Sequence, residues 1–222
     1  MLIVAVVCII EFPPWNGIFA WIAPLPENVQ EQVDDAIDHG LDGIIVYVDR
    51  AGEEPAFYGA GWKDRANQVP ADPHALFKIA SISKLYLAAA AVKQINDESL
   101  SLDDTLADHL PELLGRIEYA DEITIRMLLQ NRSGIPNYTD HDAFDWAAPP
   151  SDTDEALQLI LDRPAEFEPD ADYQYCNTNA LLIGRILDKV LGHSHRRFVR
   201  EEILVPLELT HTYGSLSQVN LE

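Results

Sequence analysis

Apolar residues at Val29, Val33 and Ile37, with acidic and amide residues between them and Gly40 just beyond, predict an amphipathic helix over residues 27–38. The period then shortens. GIIVYVD (43–49) and PAFYGAG (55–61) are rich in β-branched and aromatic residues and flank the turn-like stretch RAGEE, so they are expected to pair as a hairpin. From residue 81 onward the spacing is helical again, over 81–96, near 103–110, and over 123–130, 153–162, 179–191 and 195–204. Thr124 before IRMLLQ and Thr153 before DEALQLIL have the chemistry of N-caps, and Gly192 after LLIGRILDKVL that of a C-terminal stop. No stretch between 62 and 222 reads as a third strand.

The pattern therefore predicts an α+β chain: an N-terminal helix and hairpin over 27–67 and a helical domain over 68–205, with residues 206–222 following it. A lone hairpin is marginal in water and leaves open edges. The sheet is expected to be completed by residues outside these 222, by a partner polypeptide, or by helices that cover it. Two long proline-bearing loops, residues 133–152 and 162–175, interrupt the helical part, and loops of that length inside a compact domain usually carry function.

Residues 1–26 differ from the rest. They carry one charge, Glu11, and an apolar run from Leu2 to Ile10 with the length of a signal-peptide core, too short to span a bilayer. Export to a periplasmic or secreted location is expected, with no stable membrane span elsewhere. Fifteen basic against 37 acidic residues give a net charge of −22, which repels nucleic-acid phosphates and anionic lipid, so neither is expected as a partner. Two cysteines, Cys8 and Cys176, are too few for a disulfide framework.

Within FKIASISKLYLAAAAV (77–92), Ser81 and Lys84 lie three apart, on one face of the predicted helix, which brings a hydroxyl within reach of an amine. Serine becomes a good nucleophile only when something takes its proton. Apolar neighbours Ile79, Ala80, Leu85, Leu87 and Ala88 to Ala91 are expected to desolvate the ammonium and favour the neutral amine that can do so. At a helix start, the Ser81 N–H is also among the unpaired amides that can hold an oxyanion. In YQYCNTNA, Tyr175 and Asn177 form Tyr-x-Asn just ahead of a helix, where a phenol can shuttle protons and an amide can hold a carbonyl. Each motif alone also fits an ordinary surface lysine, a buried tyrosine or a capping asparagine.

Together, and with INDESLSLDDTLADHLPEL, ITIRMLLQNRSGIPNYT, PAEFEPDADYQYCNTNALLIGRILDKVLG and ILVPLELTHTYGS in the same order, these segments resemble the serine β-lactamase and penicillin-binding-protein superfamily, in the branch of class C β-lactamases, D-alanyl-D-alanine carboxypeptidases and esterases. The resemblance implies a β-lactamase/transpeptidase-like fold with Ser81 as the acylated nucleophile, Lys84 as its proton partner, Tyr175 as general base or acid and Asn177 as a substrate-binding amide. It implies acyl transfer from a β-lactam, a peptidoglycan stem peptide of D-Ala-D-Ala type or an ester, with no metal or organic cofactor.

The family's third motif, Lys-Thr-Gly or His-x-Gly on a later strand, has no match. Arg132-Ser133-Gly134 and His211-Thr212-Tyr213-Gly214 look similar but fall in the wrong places. The chain is thus expected to be truncated and weakly active or inactive alone. A non-catalytic remnant or binding module that keeps the substrate groove is the alternative. Asn131 and Arg132 stand where many relatives have His-Thr, a change expected not to touch the chemistry directly. Cys176 and Trp146 are expected to pack, and His193 and His195 to face solvent at a helix start.

Overall fold

A computed structural model describes residues 24–215, 218 and 219. The expected leader therefore lies almost wholly outside the described residues, as does Cys8. Two compact units divide the chain between Phe77 and Lys78.

In the first unit, helix α1 (Val29–Asp38) begins at Asn28, whose side chain accepts the Glu31 N–H at 2.9 Å. The expected stop is present, with Gly40 at φ +104°. Strands β1 (Gly43–Val48) and β2 (Ala56–Asp64) pair antiparallel, from Gly43 opposite Gly61 to Val48 opposite Ala56, and α1 packs across both. Gly61 is required where it stands: at φ +72°, an added Cβ would lie 2.4 Å from the Asp42 carbonyl oxygen. The sequence pattern misses one strand. Residues Val69–Pro70 form β3, antiparallel to β2 past an irregularity between Trp62 and Asp64. A two-residue strand is too short to show a period of two, and a proline inside the run argues against one.

The second unit holds the main core. Helix α2 (Ser83–Asn96) follows a 3-10 turn (Ala80–Ile82); then come α3 (Leu106–His109), α4 (Ile125–Gln130), α5 (Thr153–Gln158), α6 (Asn177–Leu191) and α7 (His195–Val199), with a π-helical turn at Arg200–Leu204. α2 and α4 both pack on α6. The α6 stripe of Leu182, Ile183, Ile186 and Leu187 is buried against Ala90 and Ala91 of α2 and Ile125 and Leu128 of α4, each large side chain contributing about 1.5–3 kcal/mol. Thr124 caps α4 as expected, but α5 is capped one residue earlier than expected: the Asp152 carboxylate accepts the Glu155 N–H and Thr153 is the first helical residue. Among the described residues no helix is long and apolar enough to cross a membrane.

Towards its N-terminus the buried α6 stripe turns polar. Thr178 and Asn179 are both buried, and burial of such groups costs several kcal/mol unless they are paired. Both are paired, to the loop that follows α4, and this pairing positions the candidate site.

Candidate active site

Ser81 sits in the 3-10 turn ahead of α2, and Lys84 lies in the first turn of α2 itself, so the two stand on adjoining short elements where the sequence predicts one helix. The turn is tight. Ala80 adopts a left-handed φ of +45°, and the Ser83 hydroxyl donates to its carbonyl at 2.7 Å. A left-handed alanine carries strain of the order of 1–3 kcal/mol and aims Ser81 out of the helix start. Among the described residues no acceptor takes the Ser81 N–H.

All four expected side chains meet. Lys84 Nζ donates to Ser81 Oγ at 3.0 Å, to Tyr175 Oη at 2.7 Å and to Asn177 Oδ1 at 2.9 Å, which gives each ammonium hydrogen an acceptor. Tyr175 Oη donates to Ser81 Oγ at 2.8 Å, closing a triangle of alcohol, amine and phenol. Hydrogen bonding from Lys84 first, and from Ser81 second, pulls the Tyr175 phenol below its ordinary pKa. A proton leaving Ser81 has two adjoining groups that receive it once deprotonated, the Tyr175 phenolate and the neutral Lys84 amine.

The surroundings of Lys84 differ from the expectation. Leu85 is 70% exposed and Ile82 56% exposed, Lys84 is only half-buried, and Tyr175 is 43% exposed. Of the side chains expected to desolvate the amine, Leu85 faces solvent, whereas Ile79 and Leu87 line the same cavity as Lys84. Three close hydrogen-bond acceptors beside a partly apolar cavity wall define its environment.

A second tier of contacts, which the sequence did not reveal, holds the Tyr175 segment in place. Asn131 ends α4 in a left-handed conformation (φ 56°). Its side-chain oxygen accepts the Cys176 N–H at 3.2 Å and Asn179 Nδ2 at 3.3 Å, and its carbonyl accepts the Gln174 N–H at 3.0 Å. Asn131 thus grips the chain on either side of Tyr175 without touching the reacting groups itself. Ser133 Oγ donates to Asn179 Oδ1 at 2.7 Å; Thr178 Oγ1 donates to the Pro136 carbonyl at 2.8 Å and accepts the Tyr138 N–H at 3.0 Å. Asn137 and Thr139 complete the tier around Asn177. The only sequence signal for these contacts is a cluster of Asn, Ser and Thr in a loop, a composition shared by loops that hold nothing.

Several expected decoys take definite places. Ser133 and Gly134 are buried behind Tyr175; Gly134 (φ +73°) admits no side chain, since a Cβ would lie 2.0 Å from the Phe167 carbonyl oxygen. Thr212, Tyr213 and Gly214 line a cavity of about 350 Å³ whose wall also includes Lys84 and Asn177. Cys176 is buried, its thiol donating to the Ile135 carbonyl at 3.3 Å, so it points away from Ser81. His195 departs from the solvent-facing expectation: it is partly buried over Gly184, with Nδ1 2.8 Å from the Asp188 carboxylate. Trp146 is 77% exposed and meets Phe144 edge-on at 4.9 Å, and Phe144 meets Tyr138 in the same way.

Residues 23–219 match the family described as Beta-lactamase. The chain belongs to the Beta-lactamase family. Its fold is the β-lactamase/transpeptidase-like one, here seen as helices with a small three-stranded antiparallel sheet. Among curated relatives, Protein flp of Staphylococcus aureus (strain COL) is 28% identical over 203 residues, covering 88% of this chain and 40% of the relative. Penicillin-binding protein 4 of Amycolatopsis lactamdurans is 28% identical over 179 residues, covering 78% of this chain and 44% of that protein. Among solved structures, the D-amino acid amidase of Ochrobactrum anthropi SV3, complexed with D-phenylalanine, superposes with a TM-score of 0.72 at 26% identity, covering 81% of this chain and 49% of the amidase. The chain thus spans less than half the length of these family members.

Proposed function

We propose that Ser81 is the nucleophile of a serine hydrolase that works through an acyl-enzyme, with Lys84 and Tyr175 moving its proton and Asn177 holding a substrate carbonyl. The observation that carries this reading is the closed triangle: Lys84 Nζ to Ser81 Oγ at 3.0 Å, Lys84 Nζ to Tyr175 Oη at 2.7 Å, and Tyr175 Oη to Ser81 Oγ at 2.8 Å. As the Ser81 oxygen forms its bond to the carbonyl carbon, its proton passes to Tyr175 in its phenolate form or to Lys84 in its neutral amine form. The tetrahedral oxygen gathers charge near the Ser81 N–H. Collapse breaks the C–N or C–O bond, and the leaving atom takes the proton back from the same pair. Water then repeats the sequence in reverse and frees Ser81.

The substrate class is an amide, lactam or ester: a β-lactam, a D-Ala-D-Ala-type peptide or a simple ester. The likeness to a D-amino acid amidase and to a penicillin-binding protein supports substrates with a D-configured acyl or amine part. Turnover by these 222 residues is slow on this reading, because they hold no match to the family's third motif, whose oxyanion donor would be worth about 10²–10³ in kcat. An exported location and a partner that completes the sheet belong to the same proposal.

The open, half-exposed site also favours a second reading, a binding module that captures such substrates without releasing product. Incubation with benzylpenicillin, a D-amino acid p-nitroanilide and p-nitrophenyl acetate, followed by intact mass and peptide mapping, separates the two. The hydrolase reading expects an acyl adduct on Ser81 with at least one reagent, lost in Ser81→Ala, and product accumulating beyond one equivalent. An adduct that never turns over supports the binding module; no adduct from any reagent overturns the nucleophile.

A further inference from the structure

The polar ring behind Asn177 has a direction that its members impose on one another. The Asn177 backbone N–H donates to Asn137 Oδ1 at 2.9 Å. Asn137 Nδ2 donates to Thr139 Oγ1 at 2.8 Å, and Asn177 Nδ2 donates to the same oxygen at 3.1 Å. Asn177 Oδ1 then receives Lys84 Nζ at 2.9 Å.

A carboxamide fits its site equally well either way round, and only its partners decide which end is oxygen. Here both ends of the ring are groups that only donate: a backbone N–H at one end and, in its ammonium form, Lys84 at the other. The backbone N–H demands the oxygen of Asn137, which turns the Asn137 NH₂ onto Thr139. The Thr139 oxygen spends one acceptor position there and offers its second to Asn177, whose NH₂ turns inward and whose oxygen turns out to Lys84. Thr139 is itself held from the rigid side, since the 3-10 turn Tyr138–Asp140 that carries it is pinned by the bond from the Tyr138 N–H to buried Thr178.

We infer that Thr139 is a positioning residue: its hydroxyl, accepting from two carboxamides at once, fixes Asn177 with the oxygen on Lys84 and one Nδ2 hydrogen free to meet a substrate carbonyl. This rests on the reading of Asn177 as a substrate-binding amide. Without the Thr139 acceptor, two amide N–H groups lose their partner and Asn177 is free to rotate, presenting a donor to a donor at Lys84. The loss is of aim and not of any reacting group, and small misplacements of a substrate-binding group cost up to about a hundredfold in rate. Valine at 139 would break the ring by removing the acceptor; serine keeps it.

Thr139→Val preserves shape and removes the acceptor, Thr139→Ala removes it without bulk should the valine protein fail to fold, and Thr139→Ser keeps it. In ¹⁵N-labelled protein, with Asn137 and Asn177 side-chain amides assigned through their alanine variants, wild type and Thr139→Ser are expected to show dispersed, slowly exchanging Asn177 Nδ2 protons. In Thr139→Val or Thr139→Ala these move to the range of exposed amides and exchange about tenfold faster. Acylation of Ser81 by benzylpenicillin is expected to slow about tenfold in the valine or alanine protein and to recover to within about twofold in the serine protein. Unchanged amide signals and exchange in the variants lacking the acceptor overturn the inference, as does a serine protein that behaves like the valine one. If wild type itself is not acylated, the hydrolase reading fails while the amide signals still decide the role of Thr139.

Discussion

Tyr175 Oη lies 2.8 Å from Ser81 Oγ, although 94 residues separate them in the chain. The helical unit brings together a turn at the start of α2 and the residues just before α6, and α2 packs on α6 through Ala90, Ala91, Leu182 and Ile186. Core packing, a loop stapled by buried polar groups, and a reactive triangle are thus one connected construction.

The phenol is the group whose titration reports that construction. Hydrogen bonding from Lys84 is the largest cause of its lowered pKa, so the Tyr175 phenolate forms at lower pH than an ordinary tyrosine, whose pKa is 10.0. The rate of Ser81 acylation is therefore expected to rise with pH through a midpoint below 10. Ultraviolet difference titration of wild type against Tyr175→Phe measures the same midpoint directly, and Lys84→Met is expected to move it upward.

Asn131 is expected to be worth about 1–3 kcal/mol to the helical unit, because Asn131→Ala leaves the Cys176 N–H and buried Asn179 short of a partner. Gly134→Ala is expected to cost more, since its Cβ collides with the Phe167 backbone at a left-handed φ. Urea unfolding of each variant checks the order.

Ala80 carries strain that glycine would relieve. Ala80→Gly is expected to stabilise the fold by about 1 kcal/mol and yet to slow Ser81 acylation, because the turn that aims the hydroxyl loosens. Thermal melting and labelling rates on the same samples test both halves.

Burial raises the Cys176 thiol pKa and removes it from solvent. In Cys8→Ser protein, a thiol reagent such as iodoacetamide is expected to leave Cys176 unmodified under native conditions and to react fully in urea, as read by mass.

Much of this was legible in the sequence. The apolar stripe of α6, its glycine stop at Gly192, the Thr124 cap and the hairpin of β1 and β2 follow from local period and capping chemistry, and the grouping of Ser81, Lys84, Tyr175 and Asn177 followed from the family resemblance that the ordered segments carry. What stayed hidden depends on partners distant in the chain. β3 is two residues long and exists only because β2 lies beside it. Asn131 and Thr139 look like loop residues until residues more than thirty positions away donate to their side-chain oxygens. The environment of Lys84 was legible only in part, because apolar neighbours in sequence are not all neighbours in space on a helix: Ile79 and Leu87 share its cavity wall, while Leu85 is exposed.

The central claim is that Ser81, Lys84 and Tyr175 work as one proton-sharing unit, and groups that act as a unit show strongly non-additive losses. The second-order rate constant for acylation of Ser81, measured by mass in wild type, Lys84→Met, Tyr175→Phe and the double variant, tests this most directly. The expected result is a large loss in each single variant, about 10²-fold or more, with the double variant no slower than the worse single one. Single losses that multiply in the double variant, or single variants that acylate as fast as wild type, would contradict it.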